Sequence, residues 1–90
     1  MTLIIIGKVQ RVGFRYSVVD FVLQNSLPIV GYVRNMPDGS VHVLAQGGIE
    51  ALKELHRFCT KGPPKAEVRE VKEDLSQISK AEFSEFSVVG

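Results

Sequence analysis

The chain contains little cysteine, no tryptophan and no long apolar run. Cys59 is the only cysteine among its 90 residues. One cysteine forms neither an intramolecular disulfide nor a cysteine-rich metal site, and it fits a reducing compartment. The apolar run Leu3 to Ile6 is too short for a signal-peptide core or a membrane span, and no cleavage-site pattern follows it. We therefore expect a cytoplasmic protein that makes no membrane contact.

An excess of one charge sign is also missing. Eleven Lys and Arg residues against ten Asp and Glu residues give a formal net charge of +1. Bulk charge therefore recruits neither nucleic acid nor a membrane surface. Hydrophobic residues make up 44% of the chain, which is enough for a core and too much for a disordered segment. This length predicts one small domain over residues 1–90.

The stretch from Gly7 to Arg15 joins a predicted strand to a predicted helix. The first N–H groups of a helix have no intrahelical acceptor, and the helix dipole adds partial positive charge there. A loop with Gly13 inside it and Arg15 at the helix entrance suits a phosphate or carboxylate. Many such loops bind nothing, so both alternatives stay open. The stretch is neither a Walker A loop nor a dinucleotide-binding fingerprint.

The other segments alternate between strand and helix patterns. Strands are predicted at 3–9, 29–35, 40–46, 66–75 and, briefly, near 83–88, and helices at 16–25 and 49–60. The first strand is apolar on both faces and should be central, with the second strand beside it. Segment 66–75 alternates imperfectly and reads as a polar edge strand. The order predicts an α+β, ferredoxin-like sandwich: a mixed, mainly antiparallel sheet with two helices on one face.

Two motifs resemble the signatures of the acylphosphatase family. That family's first pattern is Gly-x-Val-Gln-Gly-Val-x-Phe/Tyr-Arg, and its second is Gly-aromatic-x-Lys/Arg-Asn. The chain matches them with Gly7-x-Val9-Gln10-x-Val12-x-Phe14-Arg15 and Gly31-Tyr32-Val33-Arg34-Asn35. Further similar runs follow in the family's order, so the resemblance covers nearly the whole chain. They are Pro37-Asp38-Gly39-Ser40-Val41, Gly62-Pro63-Pro64-Lys65-Ala66-Glu67-Val68 and Phe83-Ser84-Glu85-Phe86-Ser87-Val88.

The resemblance implies an activity and a set of site residues. It implies hydrolysis of small acyl phosphates to carboxylate and orthophosphate without a metal or cofactor. We further expect a monomer that binds no nucleic acid. Arg15 and Asn35 take the catalytic roles: Arg15 binds phosphoryl oxygens, and Asn35 orients the attacking water. The resemblance also implies that the loop and the end of the second strand meet. The phosphate loop comprises Gln10, Arg11, Val12, Gly13, Phe14 and Arg15, with backbone donors from Gln10 through Phe14.

The chain departs from the family pattern at Arg11, where the family has glycine. If this position needs a positive φ, arginine costs about 1–3 kcal/mol of local strain. If it needs close backbone approach to phosphate, the larger side chain crowds the pocket. Arg11 could instead add useful positive charge at the mouth. We favour the strain hypothesis. The alternative function is a catalytically impaired phosphate- or anion-binding module of the same fold.

Other candidates are given structural roles. His42 and His56 are expected to be surface or packed residues, and Cys59 a small buried hydrophobe. Strand alternation points Arg34 away from the face that carries Asn35.

Two other functions are weighed against the resemblance. An RNA-recognition motif shares the element order but stacks bases on aromatic residues of its central strands, and segments 3–9 and 40–46 contain none. A carbamoyl-transfer maturation protein carries this signature in its N-terminal domain, but 90 residues leave no room for its other domains.

Overall fold

The computed structural model describes residues 1–75 and 83–89. Residues 76–82 and 90 of the predicted domain lie outside the described residues. The elements are β1 (Thr2–Lys8), α1 (Phe14–Gln24), β2 (Ile29–Asn35), β3 (Val41–Gly47), α2 (Ile49–Lys61), β4 (Glu67–Asp74) and β5 (Phe86–Val89). This order confirms the predicted ferredoxin-like α+β class. No helix in the described part of the chain is long and apolar enough to cross a membrane.

The five described strands form one mixed sheet in the order β4-β1-β3-β2-β5. β1 pairs antiparallel with β3 and β4, β2 pairs antiparallel with β3, and β5 adds parallel to β2. β1 is therefore an inner strand and β4 an edge strand, as predicted. The expectation that β2 lies beside β1 is wrong. β2 and β3 form a hairpin, and it is β3 that pairs with β1.

Both helices cover the same face of the sheet. Alternate strand residues on that face, such as Leu3, Ile5, Val41 and Val43, are fully buried. α1 contributes Phe14, Val18 and Val22, and α2 contributes Ala51, Leu52, Leu55 and Cys59. This spacing of three to four residues is the apolar stripe of a helix packed on a core. The core thus fixes which side chains of each strand face the helices and which face the open side of the sheet.

Helix α1 begins two residues before its predicted start. Gly13 precedes it with φ 75°, a left-handed conformation that glycine adopts without strain. Phe14 becomes the first helical residue and is only 1% exposed, so its ring anchors the helix start in the core. Arg15 is consequently the second residue of the helix.

The imperfect alternation of β4 has a physical cause. The register shifts between Ile6 and Gly7, because Ile6 pairs with Glu70 while Gly7 pairs with Val68. This bulge leaves one extra residue on β4 and lets Val68 and Val71 both pack against the core. Gly7 itself has φ 140°, and a Cβ atom there would collide with the backbone carbonyl of Glu67. β1 therefore needs glycine where it leads into the loop.

Candidate functional site

The register of the sheet brings the ends of β1 and β2 to one edge. Ile5 lies opposite Val41 on β3, and Val41 lies opposite Asn35 on β2. Because β3 is antiparallel to both neighbours, β1 and β2 run in the same direction. The loop that follows β1 and the turn that follows Asn35 consequently leave the sheet on the same side.

The side chain of Gln10 connects the loop to the β2–β3 turn. Its Nε2 donates hydrogen bonds to the carbonyl oxygen of Met36 at 2.7 Å and to that of Ser40 at 3.0 Å. These partners are 26 and 30 residues away along the chain. The sequence predicted a backbone role for Gln10 and missed this side-chain contact, because local patterns do not reveal partners at such separation.

The turn that receives Gln10 is itself fixed by hydrogen bonds. Asp38 Oδ1 accepts from the hydroxyl of Ser40 at 2.6 Å and from its N–H at 2.9 Å. These bonds lower the pKa of the Asp38 carboxyl, and the Ser40 hydroxyl contributes most. The N–H of Met36 donates to the Ser40 carbonyl at 2.9 Å. The two carbonyls that hold Gln10 therefore sit in a rigid turn.

The N-terminus of α1 presents unsatisfied donors. Gly13 provides no side-chain cap, and the first turn contains no acidic residue. Within residues 1–75 and 83–89, the N–H groups of residues 10–13 donate to no backbone oxygen. Arg15 is half-buried, with its guanidinium carbon 5.7 Å from the centroid of the Tyr16 ring. Free N–H groups, the helix dipole and a guanidinium together make this end of α1 suitable for an anion.

Asn35 carries a buried oxygen that has no donor. It follows Val33 on the face covered by the helices, whereas Arg34 is exposed on the opposite face, as predicted. In the part of the chain that the structure describes, Asn35 Oδ1 is buried and has no hydrogen-bond partner. Buried polar atoms in native proteins are nearly always satisfied by protein, water or ligand. This oxygen is therefore suited to accept a hydrogen bond from a water molecule or ligand.

Arg11 adopts the conformation that the strain hypothesis requires. Its φ is 62°, in the left-handed region, and its side chain is exposed. Its neighbour Val12 is half-buried and packs against the core. The glycine of the family pattern thus coincides with a position that favours glycine on physical grounds. The effect of Arg11 on activity stays a prediction.

The remaining candidates lie on α2 or on the opposite face of the sheet. His56 Nδ1 is 2.9 Å from Glu73 Oε1, a contact that joins α2 to β4. His42 pairs with Ile4 and Arg34 across the open face. Cys59 is buried as expected, and burial raises its pKa to about 12. Among the described residues, no three His, Cys, Asp or Glu side chains group as a metal site requires.

Known proteins match most of this chain. The model of the acylphosphatase family matches residues 1–88. An acylphosphatase of Acaryochloris marina is 42% identical over 86 residues, covering 96% of this chain and 88% of that protein. An acylphosphatase of Trichormus variabilis is 48% identical over 65 residues, and the match spans 72% of this chain and 62% of the relative.

A solved structure gives the same result at the level of the backbone. The crystal structure of acylphosphatase from Bacillus subtilis superposes with a TM-score of 0.82 at 33% identity, covering 99% of this chain and 96% of that chain. The fold, the two motifs and the match over nearly the full chain lead to one conclusion. The chain belongs to the acylphosphatase family.

Proposed function

We propose that this protein is an acylphosphatase that hydrolyses small acyl phosphates to a carboxylate and orthophosphate. One observation carries the assignment of residues. Among the described residues, the N–H groups of residues 10–13 have no backbone acceptor and Asn35 Oδ1 has no partner, and both belong to segments that leave the sheet at one edge. The N–H groups of residues 10–14 and the guanidinium of Arg15 hold the phosphoryl oxygens. The amide of Asn35 holds the attacking water.

The chemistry suits so small a set of residues. An acyl phosphate is a mixed anhydride whose carboxylate is a good leaving group, so no strong general acid is needed. The water oxygen attacks phosphorus, the bond from phosphorus to the acyl oxygen breaks, and the carboxylate leaves with that electron pair. A proton of the water passes to a phosphoryl oxygen, and orthophosphate is released. Positioning and charge stabilisation dominate such phosphoryl transfers.

The finer expectations follow from the same features. The protein acts without a bound metal, because Arg15 and the loop N–H groups supply the positive charge that the phosphoryl group requires. It works as a monomer in the cytoplasm, where its single buried cysteine stays reduced. It binds no nucleic acid and no membrane, since β1 and β3 carry no aromatic side chain for stacking bases and the net charge is only +1.

No observation favours the alternative of an impaired anion-binding module. The exposed position of Arg11 is compatible with an open loop. The relatives named above are acylphosphatases.

The decisive test is hydrolysis of benzoyl phosphate in chelator-treated buffer. We expect turnover by the parent and loss of nearly all kcat in Asn35→Ala, which should stay folded and still bind inorganic phosphate. Asn25→Ala is the matched control, because Asn25 lies at the other end of α1, where its side-chain amide donates to the Phe21 carbonyl. A parental rate in Asn35→Ala would refute the water-positioning role. A folded parent without turnover would instead favour the anion-binding module.

A further inference from the structure

The phosphate loop and Asn35 come from strands that do not touch. β3 lies between β1 and β2, so the sheet fixes their spacing only as far as Ile5 and Asn35. Beyond that row β2 ends, while β1 continues to Lys8 paired with β4. Among the described residues, the hydrogen bonds of Gln10 are the ones that join residues 9–13 to the turn at residues 36–40. The spacing between donors and amide oxygen therefore depends on this contact.

The contact uses the chemistry of a primary amide. The NH₂ group of glutamine has two donor hydrogens, and both are directed to carbonyl oxygens, of Met36 and Ser40. Because both partners are acceptors, the side-chain amide must be oriented with its nitrogen, and not its oxygen, toward the turn. Met36 directly follows Asn35, so holding its carbonyl also holds the backbone on which the Asn35 side chain is mounted.

We propose that Gln10 is a positioning residue for hydrolysis, which clamps the phosphate loop to the β2–β3 turn and so sets the place of Asn35 relative to the bound phosphoryl group. This inference rests on the proposed function. Its effect is on the alignment of water and phosphorus, whereas the loop N–H groups and Arg15 bind phosphate without it. Misplacement of a reacting group by about 1 Å costs about a hundredfold in rate.

The first test separates rate from binding. In Gln10→Ala we expect kcat for benzoyl phosphate to fall about tenfold to a hundredfold. The KM, and the Kd for inorganic phosphate, should change less than about threefold, because the phosphate-binding groups remain. Gln24→Ala, at an exposed glutamine at the end of α1, is the matched control and should resemble the parent. Gln10→Met preserves side-chain volume if the alanine variant is poorly folded.

The second test uses Gln10→Glu, which keeps the shape of the side chain and removes its donors. An ionised carboxylate faces the two carbonyls with lone pairs, whereas a protonated carboxyl regains one O–H donor. The ratio of variant to parent kcat should therefore rise as the pH falls through the carboxyl pKa, which is about 4.3 when unperturbed. The charged and titratable groups on the segments that meet at Gln10 are Arg11, Arg15, Asp38 in the turn and His42, which interacts electrostatically with Asp38. They are common to both proteins, so they largely cancel in the ratio.

The outcomes distinguish the proposals. If the parent hydrolyses benzoyl phosphate and Gln10→Ala matches its kcat, the positioning role is wrong while the proposed function stands. If kcat and phosphate affinity fall by the same factor, Gln10 merely maintains the loop, and the proposal is also wrong. A pH-independent ratio for Gln10→Glu would show that donation to the turn does not matter. A parent that binds phosphate without turnover would contradict the proposed function itself.

Discussion

The two ends of helix α1 are built in opposite ways. At the C-terminus, the N–H groups of Ser26 and Leu27 donate to the carbonyls of Leu23 and Val22 at 3.1 and 3.0 Å. This is the Schellman arrangement, with Ser26 left-handed at φ 50°. The side chain of Asn25 adds a bond to the Phe21 carbonyl at 2.8 Å. At the N-terminus, Gly13 offers no side-chain cap, and the described residues provide no backbone acceptor for the loop N–H groups.

The difference supports the proposal that the N-terminal end of α1 binds a ligand. One and the same helix completes its own hydrogen bonds at the end that has no proposed role. At its N-terminal end the first turn contains no acidic residue and no capping side chain, and the described residues leave the loop N–H groups without a backbone acceptor. Open donors cost little when water reaches them, and an incoming phosphate replaces that water with charged acceptors. The following predictions test this contrast, from the largest expected effect to the smallest.

Replacing a charged side chain at the open end should have the largest effect. Arg15→Ala is expected to lower kcat/KM about a thousandfold, because the guanidinium stabilises charge that grows in the transition state. It should also weaken binding of inorganic phosphate, since the same contact exists in the ground state. Kinetics with benzoyl phosphate and a phosphate titration measure both. Undiminished phosphate binding would remove Arg15 from the proposed site.

A carboxylate in the first turn of α1 should weaken phosphate binding and stabilise the unliganded protein. In Tyr16→Glu, the new charge faces the positive helix end and should stabilise the unliganded protein by about 0.3–1 kcal/mol. It should weaken phosphate binding about threefold to tenfold through repulsion. Tyr16→Gln is the control, because it also removes the ring beside Arg15 but adds no charge. Thermal unfolding and phosphate titration at low salt supply the readouts. Equal phosphate affinity in the two variants would mean that the helix end is not where the anion binds.

The two non-glycine residues with positive φ allow a matched comparison. Arg11→Gly and Ser26→Gly each remove a side chain from a residue in the left-handed conformation, which should stabilise the folded state by about 1–2 kcal/mol. Each also raises the conformational entropy of the unfolded chain, which should lower the free energy of unfolding by about 0.5–1 kcal/mol. The net gain of about 0–1.5 kcal/mol should leave the unfolding temperature of both variants unchanged or raise it by up to about 12 °C. Turnover should be kept or raised in Arg11→Gly and unchanged in Ser26→Gly. A clear loss of both stability and activity in Arg11→Gly would end the strain hypothesis.

Local patterns predicted the helices and strands but neither the first residue of α1 nor the bulge in β4. The Met36 to Gly39 turn and the strands around it follow from Pro and Asp-Gly chemistry, and β2 has its predicted bounds. The start of α1 was placed two residues late, because Gly13 caps it by conformation alone and no Ser, Thr or Asp marks the position. Likewise, a bulge beside Gly7 disturbs the alternation of β4, and a bulge has no signature of its own in a single strand.

The candidate site likewise combines residues that the sequence predicted with contacts that it did not. The positions of Arg15 and Asn35 came from motif resemblance, and the positive φ at Arg11 was anticipated from the glycine it replaces. The placement of β3 between β1 and β2 was not anticipated, because strand order depends on long-range pairing. The clamp by Gln10 joins residues 26 and 30 positions apart, and no periodicity within either segment encodes it.

The row formed by Ile5, Val41 and Asn35 makes the position of Asn35 depend on the register in which the strands pair. Side chains alternate between faces along a strand, so a slip of one residue between β2 and β3 would turn Asn35 to the open face. A slip of two residues would keep its face but carry it about 7 Å along the strand, away from the loop. If Asn35 holds the attacking water as proposed, turnover should be lost in either misassembled form even where the helix and strand content is native. Enzymatic activity would therefore report whether these three strands have paired in the correct register.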